Sequence, residues 1–370
     1  MKIAVIGSTG VIGTLTLEIA EKNGIEVIGL AAGRNLKRLR EQMEKFNPAV
    51  VSVARREDAV VLGKNVLWGE EGLRRIATLQ EADLVVIAVS GTAGILPTYE
   101  AVKRGKRIAL ANKESLVSGG CVIMEEAKKS GAEIIPVDSE HNSLFQLFLY
   151  PEKPEKIILT ASGGPFFRNK PESIRVEDVL SHPVWNMGKK ITVDSATLMN
   201  KAFEMVEARW LFDLTPEKIG VLIHPQSIVH SIFVMRDGSL MAHMSAPDMR
   251  IPIQYALLYP ERGVPPVKPI NLAEVKELEF YEADPENYPA IEMGYRMLEE
   301  PPSLSALVNG ANDTAVMAFL EGRIKFSAIL DVIIEVSEEH TAYTPSSIEE
   351  VVGLVREGAE RAEKLINKRN

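Results

Sequence analysis

Residues 2–13 read KIAVIGSTGVIG, and they decide the fold. The run from Ile3 to Ile6 is apolar at every position and too short for a helix, so it predicts a strand buried on both faces. Gly7, Gly10 and Gly13 then fall at the turn into a helical pattern that opens at Val11. Glycines there let the backbone approach a pyrophosphate, and the helix N-terminus offers free N–H groups and a positive dipole. The spacing is G-x-x-G-x-x-G rather than the commoner G-x-G-x-x-G, so the strand before and the helix after carry much of the weight. A glycine-rich turn without a ligand is the competing reading.

Working outward, EVIGLAA, AVVSVA, ADLVVIAVS, RIALA and AEIIPV repeat the buried-strand pattern. Helical patterns separate them at 11–22, 36–46, 69–79, 96–104 and 118–130. This alternation predicts an α/β fold whose first part, 1–138, is a Rossmann-like doubly wound parallel sheet. From 139 to 260 the texture changes to KIILTAS, GVLIHP, IVHSIFVM and LMAHMSA, with one helix from Ala196 to about Phe212, which predicts a central α+β domain. Prolines punctuate 261–289 as a semi-extended linker. Four helical patterns then fill 290–370 as a C-terminal helical bundle, the last opened by Ser346 or Ser347 with Glu349 and Glu350 as a capping box.

Composition narrows the function. The 370 residues carry a net charge of −9, which repels a phosphate backbone and argues against a general nucleic-acid binder. A single cysteine, Cys121, excludes an intramolecular disulfide and a cysteine metal cluster. No apolar run reaches the ~18 residues of a membrane span, and the chain opens directly into a strand, so a cytoplasmic protein without membrane contact is expected.

The second strand ends in Gly33-Arg34-Asn35, without the acid that usually holds the ribose of NAD. Arg34 suits a 2′-phosphate, so NADP(H) is the expected cofactor; a solvated loop charge is the alternative. In PVDSEHNSLFQ, Asp138 and Glu140 are two apart, and on an extended segment both carboxylates leave one face. A divalent cation would balance them; two solvated acids would not need one. In ATLMNKAFEMVEARWLF a polar group of Asn200, Lys201 and Glu204 interrupts a mostly apolar helix. That reads as a site, or as an i, i+3 Lys201–Glu204 ion pair on the exposed side. Trp185 and Met187, beside His182 and before Gly188, read as a lid, and Ser162 before two glycines as an anion cradle. His224 and His230 fit supporting positions.

Taken in order, GSTGVIG, ANKESLVSGG, PVDSEHNSLFQ, TASGGPF, HPVWNMGKKITVDSATLMNKAFEMVEA and HPQSIVHS resemble the 1-deoxy-D-xylulose-5-phosphate reductoisomerase family. The resemblance runs from residue 1 to about 260, and the linker with its helical tail fits the family's third domain. It implies an NADPH-dependent enzyme requiring Mg²⁺, Mn²⁺ or Co²⁺. Such an enzyme rearranges the phosphorylated sugar 1-deoxy-D-xylulose 5-phosphate and reduces it to 2-C-methyl-D-erythritol 4-phosphate for isoprenoid synthesis, usually as a homodimer. By motif it implies Asp138, Glu140 and Glu204 as metal ligands, and Lys113, Glu140, Lys201 and Glu204 as catalytic. Substrate contacts would come from Ser139, Glu140, Ser162, His182, Trp185, Ser195, Asn200, Lys201 and Glu204. Cofactor contacts would come from Gly7, Ser8, Thr9, Gly10, Val11, Ile12, Gly33, Arg34, Asn35, Asn112, Lys113, Glu114, Met187, Gly188 and Met249. Arg34 stands where the family commonly has lysine, and Val184 and Asn186 sit at variable lid positions. A semialdehyde-dehydrogenase-like reductase would need a catalytic cysteine, and Cys121 lies in a helical pattern away from any histidine motif. A non-catalytic NADP sensor would leave the three carboxylates without a purpose.

Overall fold

The structure is a computed structural model that describes residues 1–63, 65–168, 174–181, 185, 187–284 and 288–369. Its contacts group the chain into two compact units. The first comprises Met1–Ser115, Ile123–Asn142 and Asp248–Lys268; the second comprises Leu116–Val122, Ser143–Pro247 and Pro269–Asn370. The return of Asp248–Lys268 to the first unit departs from the expected cut at 260. Its physical reason is local: Arg250 pairs with Asp248 at 2.6 Å and with Glu18 at 3.7 Å, and the Asn142 amide donates to the Pro252 carbonyl at 3.4 Å.

In the first unit Lys2–Ile6 (β1), Glu26–Ala32 (β2), Val50–Val53 (β3), Val66–Trp68 (β4), Leu84–Ile87 (β5), Arg107–Leu110 (β6) and Glu133–Pro136 (β7) form one sheet. It is parallel throughout, with the order β4-β3-β2-β1-β5-β6-β7. Ile3 to Ile6 are fully buried, as their uninterrupted apolar pattern requires. The order reverses beside β1, so the crevice beyond its C-terminal end is the topological switch point where such sheets bind ligands. The glycine turn stands at that end. The sequence reading missed β4 and the helix Arg56–Leu62 before it. A three-residue edge strand carries little periodicity, and Trp68 stays half exposed with the Arg56 guanidinium 5.7 Å from its ring centroid.

In the second unit Lys156–Ala161 (β8), Ile219–Ile223 (β9), Val229–Val234 (β10), Leu240–Met244 (β11) and Tyr281–Glu282 (β12) form a mixed sheet ordered β11-β10-β8-β9-β12. Only β8 and β9 run parallel. β12 comes from the proline-punctuated stretch, which therefore contributes a strand as well as a connection. Phe148 stacks on Phe212 and meets Phe233 edge-on, each at 4.7 Å, to fill the core under this sheet. The helices Pro289–Glu299, Ser303–Leu320, Ala328–Glu338 and Ile348–Arg369 form the expected C-terminal bundle. The final one opens on the expected box: Ser347 Oγ accepts from Glu350 N–H at 3.2 Å, and the Glu350 carboxylate accepts from Ser346 N–H at 2.7 Å. Among the described residues no helix is long and apolar enough to cross a membrane.

Candidate active site

Gly7 takes φ +90°, and a Cβ there would lie 2.5 Å from the Ala88 carbonyl group, so the turn tolerates only glycine. A Cβ on Gly13 would lie 2.2 Å from Gly7 O, which fixes how closely the first helix, Val11–Lys22, sits over the turn. Gln42 Nε2 donates to Ser8 O at 2.9 Å and Arg38 Nη1 donates to Thr9 O at 3.2 Å, bracing the loop from the helix Leu36–Phe46. Both braces escaped the sequence reading; only their place in the helix after Arg34 could have suggested them. Ser8 Oγ is buried and has no partner among the described residues. A buried hydroxyl and a tight cradle of backbone fit a nucleotide's phosphates. Arg34 is exposed just past β2, with Asn35 capping the next helix through Arg38 N–H at 3.1 Å.

Asn112 ties the neighbouring loops together. Its amide donates to Val89 O at 2.9 Å and Gly91 O at 2.8 Å, while its Oδ1 caps the helix Lys113–Ser130 through Ser115 N–H at 3.0 Å. Glu114, in the first turn of that helix, accepts from Gly91 N–H at 3.2 Å. Met249 stands half buried in the same unit, before the helix Arg250–Leu258.

The carboxylates after β7 differ from the expected arrangement. Asp138 precedes a helix, Ser139–Leu147, and Glu140 lies in its first turn, so the two do not alternate along an extended segment. The helix start is nonetheless where negative charge is favoured. Lys113 Nζ meets Asp138 Oδ2 at 2.8 Å, with 6% and 13% of the two side chains exposed. The buried His141 places Nδ1 3.3 Å from Asp138 Oδ1, and Ser139 Oγ donates to Glu140 Oε2 at 3.0 Å. His141 was not singled out in the sequence; its i+3 spacing from Asp138 was the available signal.

In the second unit the helix expected from Ala196 starts at Met199 and runs to Phe212; Ala196 and Thr197 instead end a separate helix, Lys189–Thr197, and Leu198 between the two takes φ 63°. Thr197 Oγ1 accepts from Met199 N–H at 3.3 Å and stabilises the break. The break aims Asn200, Lys201 and Glu204 together. Asn200 Nδ2 donates to Glu204 Oε1 at 2.6 Å, and Lys201 Nζ pairs with Glu204 Oε2. Lys201 and Glu204 are 4% and 1% exposed, so this ion pair is interior and the exposed-pair alternative falls. Ser162 Oγ accepts from Gly164 N–H at 3.2 Å. A Cβ on Gly164, itself at φ +70°, would lie 2.9 Å from Ser195 O, so the glycine brings the Ser162 turn directly onto Ser195. Trp185 and Met187 are half buried, and the Trp185 ring lies 6.4 Å from His230. His230 Nε2 is 3.0 Å from Ser245 Oγ. His224 is held by Glu279 O at 2.8 Å, and burial pushes its imidazole below the ordinary value. His182 lies outside the described residues, as do Val184 and Asn186.

Each unit thus buries a carboxylate against a lysine ammonium, Asp138 with Lys113 and Glu204 with Lys201. Buried charges are retained where chemistry uses them. Glu140 adds a third carboxylate, and carboxylate oxygens are the donors that hard divalent cations take.

Comparison with known proteins agrees along the whole chain. Residues 3–120 match the family described as 1-deoxy-D-xylulose 5-phosphate reductoisomerase. Residues 134–212 and 244–361 match two C-terminal domains of that enzyme. The 1-deoxy-D-xylulose 5-phosphate reductoisomerase of Geotalea uraniireducens is 46% identical over 379 residues, covering 99% of this chain and 98% of its own. A crystal structure of DOX-P reductoisomerase in complex with NADPH, fosmidomycin and magnesium has a TM-score of 0.94 at 32% identity, covering 99% of this chain and 98% of that one. The Zymomonas mobilis 1-deoxy-D-xylulose 5-phosphate reductoisomerase in complex with NADPH has a TM-score of 0.89 at 34% identity, with the same coverage. A glycine turn at the switch point, lysine-paired buried carboxylates and an end-to-end match lead to one conclusion: the chain belongs to the 1-deoxy-D-xylulose-5-phosphate reductoisomerase family.

Proposed function

We propose that the chain converts 1-deoxy-D-xylulose 5-phosphate to 2-C-methyl-D-erythritol 4-phosphate, using NADPH and a divalent cation, in isoprenoid precursor synthesis. The observation that carries the reading is the interior cluster of Asn200, Lys201 and Glu204, a fixed charge pair in a helix that packing alone would have made apolar. When bound, NADPH supplies a hydride and the cation supplies Lewis-acid polarisation of the sugar's oxygens. Asp138, Glu140 and Glu204 would hold the cation. Backbone from Gly7 to Ile12 would receive the cofactor's phosphates, with Gly33 to Asn35 at its 2′-phosphate. Asn112 to Glu114, Met187, Gly188 and Met249 would flank its ribose and nicotinamide.

Ser162, Ser195, Asn200 and Lys201 are read as the contacts of the substrate's phosphate and hydroxyls, with His182 close by, and Ser139, Glu140 and Glu204 as further substrate contacts. Lys113 and Lys201, both buried, place ammonium groups where they stabilise negative charge on oxygen without reorganising. Trp185 covers the carbon chain and excludes water. In this reading 1–138 binds cofactor, 139–260 carries catalysis with Met249 lent to the cofactor side, 261–289 connects, and 290–370 supports. A homodimer in the cytoplasm belongs to the same proposal.

The test is oxidation of NADPH in the presence of 1-deoxy-D-xylulose 5-phosphate, with Mn²⁺ and then with excess chelator. Metal-dependent turnover is expected; no turnover with any divalent metal refutes the proposal.

A further inference from the structure

Beyond the residues named so far, the second unit contains a charged cluster that no step of the reaction uses. Lys190 and Asp194 lie one turn apart on the helix Lys189–Thr197, which starts at the lid and presents Ser195. Lys190 Nζ sits 3.0 Å from Asp194 Oδ2 and 3.0 Å from Asp313 Oδ1. Asn312 Nδ2 donates to Asp194 Oδ1 at 2.9 Å. The Asp194 side chain is 3% exposed and that of Lys190 17%, and the ammonium also lies 5.6 Å from the centroid of the Phe203 ring. Asn312 and Asp313 are consecutive on the helix Ser303–Leu320, more than a hundred residues along the chain.

That supporting helix is itself tightly keyed. A Cβ on Gly310 would lie 1.9 Å from Val355 O, and one on Gly358 would lie 2.0 Å from Leu307 O, so two helices of the bundle meet backbone to backbone. The cluster therefore connects a rigid support to the short helix that carries Ser195. Between Ser195 and Lys201 the chain passes through Leu198 in the left-handed region, and no continuous helix fixes one relative to the other. Something else must set the short helix, and the contacts it receives from the supporting helix, Asn312 on Asp194 and Asp313 on Lys190, are placed to do it.

We propose that Asn312 and Asp313 are positioning residues for the reaction, holding Lys190 and Asp194 so that Ser195 meets the substrate phosphate. This rests on the reading of Ser195 as a phosphate contact. Ser195 would bind the phosphate equally in ground and transition states, so loosening it raises KM and spares kcat.

The test uses the full chain with NADPH and Mn²⁺. Steady-state kinetics on 1-deoxy-D-xylulose 5-phosphate are measured for Lys190→Met, Lys190→Arg, Asn312→Leu and Asp313→Asn, beside NADPH affinity and thermal unfolding. Lys190→Met and Asn312→Leu are expected to raise KM about tenfold, the scale of one lost charge-assisted hydrogen bond, with kcat and NADPH affinity nearly unchanged. Lys190→Arg should restore most of the loss, and Asp313→Asn, altering a group 25% exposed, should give a smaller rise of the same kind. Should Lys190→Met not fold, Asn312→Leu and Asp313→Asn carry the test. Folded Lys190→Met or Asn312→Leu with wild-type KM, or with kcat lowered at unchanged KM, overturns the proposal. A wild-type protein that leaves the sugar phosphate untouched refutes the functional reading instead.

Discussion

Replacing Glu204 by Gln removes one negative charge and almost no volume, so no cavity forms and the electrostatic consequence stands alone. In the wild type this carboxylate is 1% exposed and accepts from both Asn200 and Lys201. The substituted side chain leaves the Lys201 ammonium inside the protein facing a neutral amide, and its NH₂ group competes with the donors already there. Breaking a buried ion pair in this way costs about 3–5 kcal/mol. For a cooperative unit of this size, roughly 2–4 °C of melting temperature accompanies each kcal/mol, so a fall of about 6–20 °C without metal is expected. Turnover should fall about 10³-fold or more, because both the proposed metal ligand and the charge that holds Lys201 are lost. The assay pairs metal-free thermal unfolding with NADPH oxidation across a Mn²⁺ titration. A variant that melts like the wild type would show that the Lys201–Glu204 pair is not interior. A variant that keeps wild-type kcat at low Mn²⁺ would remove Glu204 from the metal site.

Gly13→Ala forces a methyl to within 2.2 Å of Gly7 O, and the turn must shift by about an ångström. NADPH affinity, followed by fluorescence titration, should weaken by roughly tenfold or more, and an unchanged value would detach the glycine turn from the cofactor. Arg34→Glu should lower the preference for NADPH over NADH in kcat/KM by at least about tenfold, and an unaltered ratio would assign the 2′-phosphate to another cation. Burial holds His224 and His340 below the ordinary imidazole value of 6.5, so as pH falls through that value the unfolded chain gains protons first. Their stabilising contribution is present above 6.5 and declines below it, until the folded-state values are passed. His340→Gln, which can still hydrogen-bond Ser303, should flatten the fall in melting temperature between about pH 7.5 and 5.5, and an identical slope would refute the assignment.

What the sequence made legible follows from how local each signal is. The first strand and its glycine turn are written in consecutive residues, and so is the metal-ligand candidate pair Asp138 and Glu140. The division at Leu198 is not, because Ser195 to Lys201 contains no proline or glycine and the break depends on a threonine hydroxyl and on the fit against Gly164. The helix at Ser139 was hidden by a β-like lead-in, since the strand before it ends one residue before Val137 and the acids follow at once. β12 depends on a partner strand about sixty residues earlier, and no two-residue segment shows its own pairing. Gln42 and Arg38 act through contacts with the glycine loop about thirty residues earlier, so their chemistry is visible only once that loop is in place.

The interleaving of the two units has a consequence for biosynthesis. The first unit needs Asp248–Lys268, whose helix Arg250–Leu258 carries the Arg250 contact with Glu18, and this segment follows Ser143–Pro247, which belongs to the other unit. At ~5–20 residues per second, the ribosome takes roughly 5–20 s between delivering Asn142 and delivering Asp248. During that interval the parallel sheet stands without its closing helix, while β8 to β11 emerge with neither β12 nor the bundle helices available to them. The second unit waits longer still, because Gly310 has no seat until Val355 and the rest of that last helix have been made. Nascent chains stalled before Asp248 is made, and chains long enough to carry Lys268 clear of the ribosome, should therefore differ sharply in protease resistance of the first 142 residues, a step that a simple beads-on-a-string order of domains would not produce.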